Sequence, residues 1–180
     1  EKALEFVSTI LEYAALGTGK ITLNKSSISA QSMLEETVKS VSHFIEGSNV
    51  TIEYNCNPSL NIECDPNRMQ QTMTNLLINA VKYSPEFGRI EIILRPAQQG
   101  FGFEIEVTDQ GPGIAAADRE RIFERFYRGD AATGQTDGAG LGMAITKRAV
   151  DRLSGSIELS EPPGGGLRVR VRIPADVATA

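Results

Sequence analysis

Apolar side chains recur at every third or fourth position in some stretches of this chain and at every second position in others, and the two periods predict different elements. Leu4, Val7, Leu11 and Ala15, with Ile10 and Ala14 beside them, predict an amphipathic helix over residues 1–16 that stops at Gly17-Thr18-Gly19. A second helical pattern runs from Ser29 to Glu46 through Met33, Leu34, Val38, Val41 and Ile45 and ends at Gly47, with residues 20–28 as the link between the two. Val50 to Cys56 and Leu60 to Cys64 then read as a hairpin turning at Pro58. Asp65 before Pro66 is a good helix start, because aspartate accepts backbone amide bonds and proline tolerates the first turn. The helix that follows reaches Ser84 and lays Met69, Met73, Leu76, Leu77, Ala80 and Val81 on one side.

Beyond Pro85 the pattern alternates. Ile90, Ile92 and Leu94 form one half-buried strand and Phe103, Ile105 and Val107 its antiparallel neighbour, joined at Gln98-Gln99-Gly100. Residues 129–140 are small and without apolar period, so they read as a mobile loop. A helix from Leu141 to Leu153 and strands over Ser156–Ser160 and Leu167–Ile173 complete the chain, the last with three arginines on its outward side. This order predicts an α+β fold, with helices on one face of a mixed, mostly antiparallel sheet.

Composition narrows the class. The chain has 180 residues, 41% hydrophobic and 23% charged, which suits one well-buried domain plus an appendage, and no apolar run approaches the length of a membrane span. A net charge of −5 provides no global basic field for nucleic acid. Glu1 follows no initiator methionine or leader, so the sequence reads as a piece of a longer protein. In the expected hairpin Cys56 and Cys64 lie about 13 Å apart or more, too far to bridge, which predicts free thiols in a reducing compartment. One histidine and two cysteines outside any CxxC spacing leave no zinc or haem site.

Candidate chemistry starts on the third helix. At about 100° per residue Asn75, Asn79, Lys82 and Tyr83 share a stripe opposite the apolar one, and amides, a cation and a phenol together suit a bound anion. Asp109 falls on the inward face with Phe103, Ile105 and Val107. A carboxylate there either caps the turn Gln110-Gly111-Pro112-Gly113 or accepts from a ligand donor such as an exocyclic amine. Gly138-Ala139-Gly140-Leu141-Gly142 runs into a helix, where free amides and the helix dipole favour phosphate, although it lacks the Gly-Lys-Thr ending of Walker nucleotidases and the strand of a dinucleotide fold. Phe123 to Arg128 sets two guanidiniums among aromatics ahead of the loop, either as a polyphosphate contact or as an exposed helix end with apolar anchors.

In this order the four pieces resemble the ATP-binding catalytic domain of the sensor histidine kinases of two-component signalling. Asn75 to Ser84 is similar to that family's N box, Asp109 to Ile114 to its first glycine box, Phe123 to Arg128 to its F box, and Gly138 to Gly142 to its second glycine box. The resemblance implies the two-layer α/β sandwich shared with gyrase, Hsp90 and MutL, the Bergerat-type ATP-binding fold, over residues 29–176. Residues 1–19 would end the preceding dimerisation helix, 20–28 would link, and 177–180 would be a tail. It further implies ATP and Mg2+ as cofactors, Asn79 as the metal ligand, Asp109 as acceptor for the adenine amino group, Lys82 on phosphate and Tyr83 on ribose or phosphate. Arg125 and Arg128 would be the F-box cations, Gly138, Gly140 and Gly142 the lid hinge and phosphate cradle, and Gly111, Gly113, Ile114, Phe126 and Leu141 further nucleotide contacts. Implied partners are a histidine-bearing dimerisation domain, a response regulator and a second copy in a homodimer, with a cytoplasmic location.

ATP-hydrolysing relatives carry a glutamate where this chain has Asn75, and an amide is no general base. Transfer of the γ-phosphoryl group to a protein nucleophile, with slow hydrolysis, is the expected chemistry. His43 is not the expected acceptor, since Phe44 follows it where the family has an acidic residue. Leu167 stands where the family often has a threonine near adenine, which leaves more of the base recognition to Asp109. The alternatives are a related serine kinase or ATPase, and a nucleotide-binding module without catalysis.

Overall fold

The structure, a computed structural model, describes residues 23–98, 101–127 and 140–175. The helix expected over residues 1–16 therefore lies outside the described residues. The chain enters through strand β1 (Ser26–Ser29), at the end of the stretch read as a link, and Ser29 then caps helix α1 (Ala30–Ser40) by accepting from the Ser32 amide. The single helix expected to Glu46 is broken at Val41, and a short helix α2 (Ser42–Ile45) follows. Side-chain hydroxyls explain the break: Thr37 donates to the Met33 carbonyl and Ser40 to the Thr37 carbonyl, both at 2.7 Å, and Val41 N–H is shared at 3.3 Å between the carbonyls of Thr37 and Val38.

Strands β2 (Thr51–Cys56) and β3 (Asn61–Cys64) do not form the expected hairpin. An Asx-type turn at Asn57, whose side chain accepts from the Ser59 amide, separates them. β3 pairs antiparallel with β1, Ser26 opposite Cys64, while β2 pairs in parallel with β4 (Arg89–Pro96) across a crossover that contains helix α3 (Pro66–Tyr83). Turn chemistry and alternation are the same in both arrangements, and the partner strands that decide between them lie more than 30 residues away in each direction, as Ser29 opposite Asn61 and Thr51 opposite Arg89 show. Cys56 and Cys64 are free thiols on different sheets, so the expected chemical state holds although the geometry argued for it does not.

β4 and β5 (Phe101–Thr108) are antiparallel neighbours as expected, and helix α4 (Gly142–Arg152) precedes β6 (Ser156–Ser160) and β7 (Arg168–Pro174). The main sheet has the order β2-β4-β5-β7-β6, antiparallel except for its β2–β4 edge. Ile92 faces Val107, and Ile105 faces both Leu94 and Val171, so the inner sheet face is a continuous apolar surface. All six apolar residues expected on the third helix are buried against it, with Thr72 among them. On the opposite face Arg168, Arg170 and Arg172 point outward as the alternation predicts, and they cover Glu104 and Glu106. Asp65 caps α3 as expected, accepting from the Arg68 amide at 3.2 Å.

Candidate functional site

The polar stripe of α3 is bracketed by two glycine turns. At its C-terminal end, a side-chain carbon on Gly111 would come within 2.6 Å of the Tyr83 carbonyl oxygen and 3.0 Å of Asp109 Oδ1, so only glycine allows the first turn to lie this close to the helix. One helical turn earlier, the backbone of Gly142 passes over the Asn79 amide, 3.5 Å from Nδ2 to where a β-carbon would stand. Asn79, Tyr83, Asp109, Gly111 and Gly142 are therefore brought together at this end of α3. Asn75, Asn79, Lys82 and Tyr83 are all half-buried, and the Lys82 ammonium lies 5.3 Å from the Tyr83 ring centroid.

Asp109 follows β5 and is only 6% exposed. Its Oδ1 accepts from Gly111 N–H at 2.8 Å and from Leu167 N–H at 3.2 Å, and its own N–H donates to the Leu167 carbonyl at 2.9 Å. The turn-cap reading thus holds for one oxygen, and the other accepts nothing from the described residues. Burial pushes the carboxyl above the ordinary aspartate range, against the two amide bonds, which pull it down. Gly166, at φ +97°, makes the Leu167 contact possible, since any side chain there would strike the Asp109 carbonyl. Sequence reading missed this backbone role of Leu167, and the run of three glycines before it was the available signal. It also missed Gln110, whose Oε1 accepts from Arg89 N–H at 2.8 Å and ties the first turn to β4.

The other side of the stripe is built by the second turn. Leu141 is buried at the N-cap of α4, and no side chain among the described residues caps that helix, whereas α1 and α3 are capped by Ser29 and Asp65. The first turn of this helix lies beside Asn79, where a helix start favours an anion. Gly140 (φ +67°) accepts from Phe126 N–H at 3.0 Å, so the F-box segment meets this turn. Phe126 is 60% exposed at φ +61°, and Arg125 is exposed. Tyr127 donates to Asp118 at 2.7 Å beneath the Arg121 guanidinium, 4.4 Å from its ring, so polar contacts rather than apolar anchors tie the segment down here. Ile114 and Gly113 are half-buried, with Gly113 against Gly166 and the Ile114 carbonyl accepting from Arg119 Nε. Arg128, Gly138 and most of the expected loop lie outside the described residues. His43 is exposed on α2.

The residue set suits a nucleotide: a carboxylate oxygen that accepts nothing from the described residues, a helix start, a lysine and an amide oxygen gathered near one end of α3. Among the described residues no group of three or more His, Cys, Asp or Glu could hold a metal, so any divalent ion would depend on Asn79 and the phosphates themselves. No described helix is long and apolar enough to cross a membrane.

Comparison with known proteins agrees with this geometry. The chain belongs to the histidine kinase-, DNA gyrase B- and HSP90-like ATPase family, whose sequence profile matches residues 64–177. It is 32% identical over 174 residues to the sensor-like histidine kinase SenX3 of Mycobacterium tuberculosis, covering 95% of this chain and 42% of that protein. It is also 30% identical over 169 residues to the signal transduction histidine-protein kinase BarA of Escherichia coli, covering 91% and 18%. The chain thus spans less than half the length of these relatives. Among solved structures, full-length ShkA in complex with AMPPNP superposes with a TM-score of 0.82 at 29% identity, covering 97% of this chain and 36% of that one. The nucleotide-free catalytic domain of histidine kinase ThkA superposes at 0.72 and 25% identity, covering 84% and 95%. The expected class is therefore borne out: this is an ATP-binding catalytic domain of the sensor histidine kinase type.

Proposed function

We propose that this domain holds ATP with Mg2+ against the polar stripe of α3 and passes the γ-phosphoryl group to a histidine on a dimerisation module of the longer protein, for relay to a response-regulator aspartate. The observation that carries the reading is the bracketing of Asn79 and Tyr83 by Gly142 and Gly111, with Asp109 beside the latter. Asp109 Oδ2 accepts from the adenine amino group, Tyr83 lies along the ribose and phosphates, and Lys82 neutralises phosphate charge. Gly111, Gly113 and Ile114 line the base side, while Gly138, Gly140, Leu141 and Gly142 bring amides to the phosphates, with Phe126, Arg125 and Arg128 at the edge. Asn79 Oδ1 would hold the Mg2+, whose charge stabilises the leaving diphosphate when bound. In the transfer an imidazole nitrogen forms a bond to the γ-phosphorus as the bond to the β-bridging oxygen breaks, ADP departs and the imidazole proton passes to solvent. Asn75 cannot deprotonate water, which favours transfer over hydrolysis. The partners are a second copy of the longer protein and a response regulator on the cytoplasmic side.

Calorimetry with a non-hydrolysable ATP analogue and Mg2+, followed by labelled ATP with a separately made histidine-bearing helical module, tests this. Binding and acid-labile, alkali-stable label on the module are expected. Absence of binding, or label on serine, overturns the proposal.

A further inference from the structure

The carboxylate that starts α3 does more than cap it. A cap needs one oxygen, and serine or asparagine provides it as well as aspartate does. Asp65 uses two: Oδ1 accepts from Arg68 N–H at 3.2 Å, and Oδ2 accepts at 2.9 Å from the N–H of Asn24, 41 residues earlier in the chain. The side chain is buried, at 4% exposure, so this second bond is sheltered from water. On the entering side Leu23 packs against the core, and the chain continues into β1, which is zipped to β3 just ahead of Asp65, with Ser26 opposite Cys64. On the other side α3 runs unbroken for 18 residues and bears Asn75, Asn79, Lys82 and Tyr83 on its later turns. A helix of that length has no soft point between its two ends once proline occupies only the first position.

We infer that Asp65 is a positioning residue that couples the segment entering the domain to the helix carrying the nucleotide stripe. A pull or rotation of the chain ahead of Leu23 then shifts α3 through the Asn24 bond, and ligand seated on the stripe is felt at Asn24 in return, because coupling between two sites is reciprocal. This inference rests on the nucleotide reading of the stripe.

Amide hydrogen exchange on the 180-residue chain tests it, with and without a non-hydrolysable ATP analogue and Mg2+. In the native chain the analogue is expected to slow exchange at Asn24 and Lys25 by about fivefold or more. Asp65→Ser keeps a capping oxygen for Arg68 but cannot serve both amides, so it should still bind the analogue and protect Asn79 to Val81 while the response at Asn24 disappears. Asn24→Pro removes the donor and leaves the cap intact, which decides the matter if the serine variant does not fold; its readout is the response of Lys25 and Ser27, expected to vanish. Analogue binding without any response at Asn24 in the native chain overturns the coupling and leaves the nucleotide site standing. A response that persists in both variants overturns the role of Asp65. No binding by the native chain overturns the site and the coupling together.

Discussion

Asp109 is held in one orientation by two backbone amides and yet carries a raised affinity for protons, because its burial outweighs those bonds. Since the folded value lies above the unfolded one, the charged carboxylate opposes folding at neutral pH, and that opposition is relieved as pH falls through the folded value. Ligand binding has the opposite sign, because an amine donor needs the ionised oxygen. ATP-analogue affinity should therefore decline as pH falls from neutral through the raised carboxyl value while the free chain keeps its stability, and Asp109→Asn should lose about 10- to 100-fold in affinity without loss of thermal stability. Calorimetry across that range checks both, and a pH-independent affinity would contradict the assignment. Gly142 offers a second separation of stability from binding. Its backbone needs no positive φ, and a β-carbon would sit 3.5 Å from Asn79 Nδ2 in ordinary contact. Gly142→Ala should raise stability by up to about 1 kcal/mol through helix propensity and lower analogue affinity by about tenfold by crowding the Asn79 oxygen, as thermal melts and calorimetry would record.

Elements assembled with different degrees of local autonomy. α3 is legible because proline, a capping aspartate and an apolar stripe all agree, and the β4, β5 and β7 alternation is legible because one face is fully buried. The outer face was legible only in part: three outward arginines were evident, but Glu104 and Glu106 are buried beneath guanidiniums from β4 and β7, which only sheet pairing brings together. Glu106 accepts from Arg170 at 2.7 and 2.9 Å and is reached by Arg168 at 3.2 Å and Arg95 at 3.6 Å. Glu106→Ala removes the shared partner of Arg168, Arg170 and Arg95, of which Arg95 keeps Glu104 and Arg170 keeps Glu158, and with these guanidiniums part-exposed it should lower unfolding free energy by only about 1–2 kcal/mol in urea denaturation, with analogue affinity unchanged in the folded fraction. Burial pushes Glu104 up, but the hydrogen bonds and charges of Arg95, Arg172 and Arg170 prevail and lower it overall. Its contribution to stability is present above the unfolded glutamate value and fades as pH falls through the lowered one, so the ladder weakens on acidification.

At the scale of the whole molecule the two thiols report on different regions. Cys64 lies buried between the small sheet and the core, where burial and the neighbouring carboxylates of Asp65 and Glu63 push its thiol up to about 11. Cys56 is half-exposed on the β2 edge, also raised by burial and then by Glu35. Alkylation near neutral pH should modify Cys56 first and Cys64 only through global opening, which mass spectrometry across a denaturant series would resolve. The sequence alone determined the residue types of the site and their spacing on one helix and two glycine turns, because these depend on local periodicity and on backbone freedom that only glycine has, and the resemblance of the four boxes in their order gave the class of protein. Tertiary structure decided which strands pair, which glutamates are buried, that Leu167 holds Asp109, and that the chain at Asn24 is tied to the front of α3. Those facts depend on contacts between segments tens of residues apart, for which neighbouring residues carry no signal.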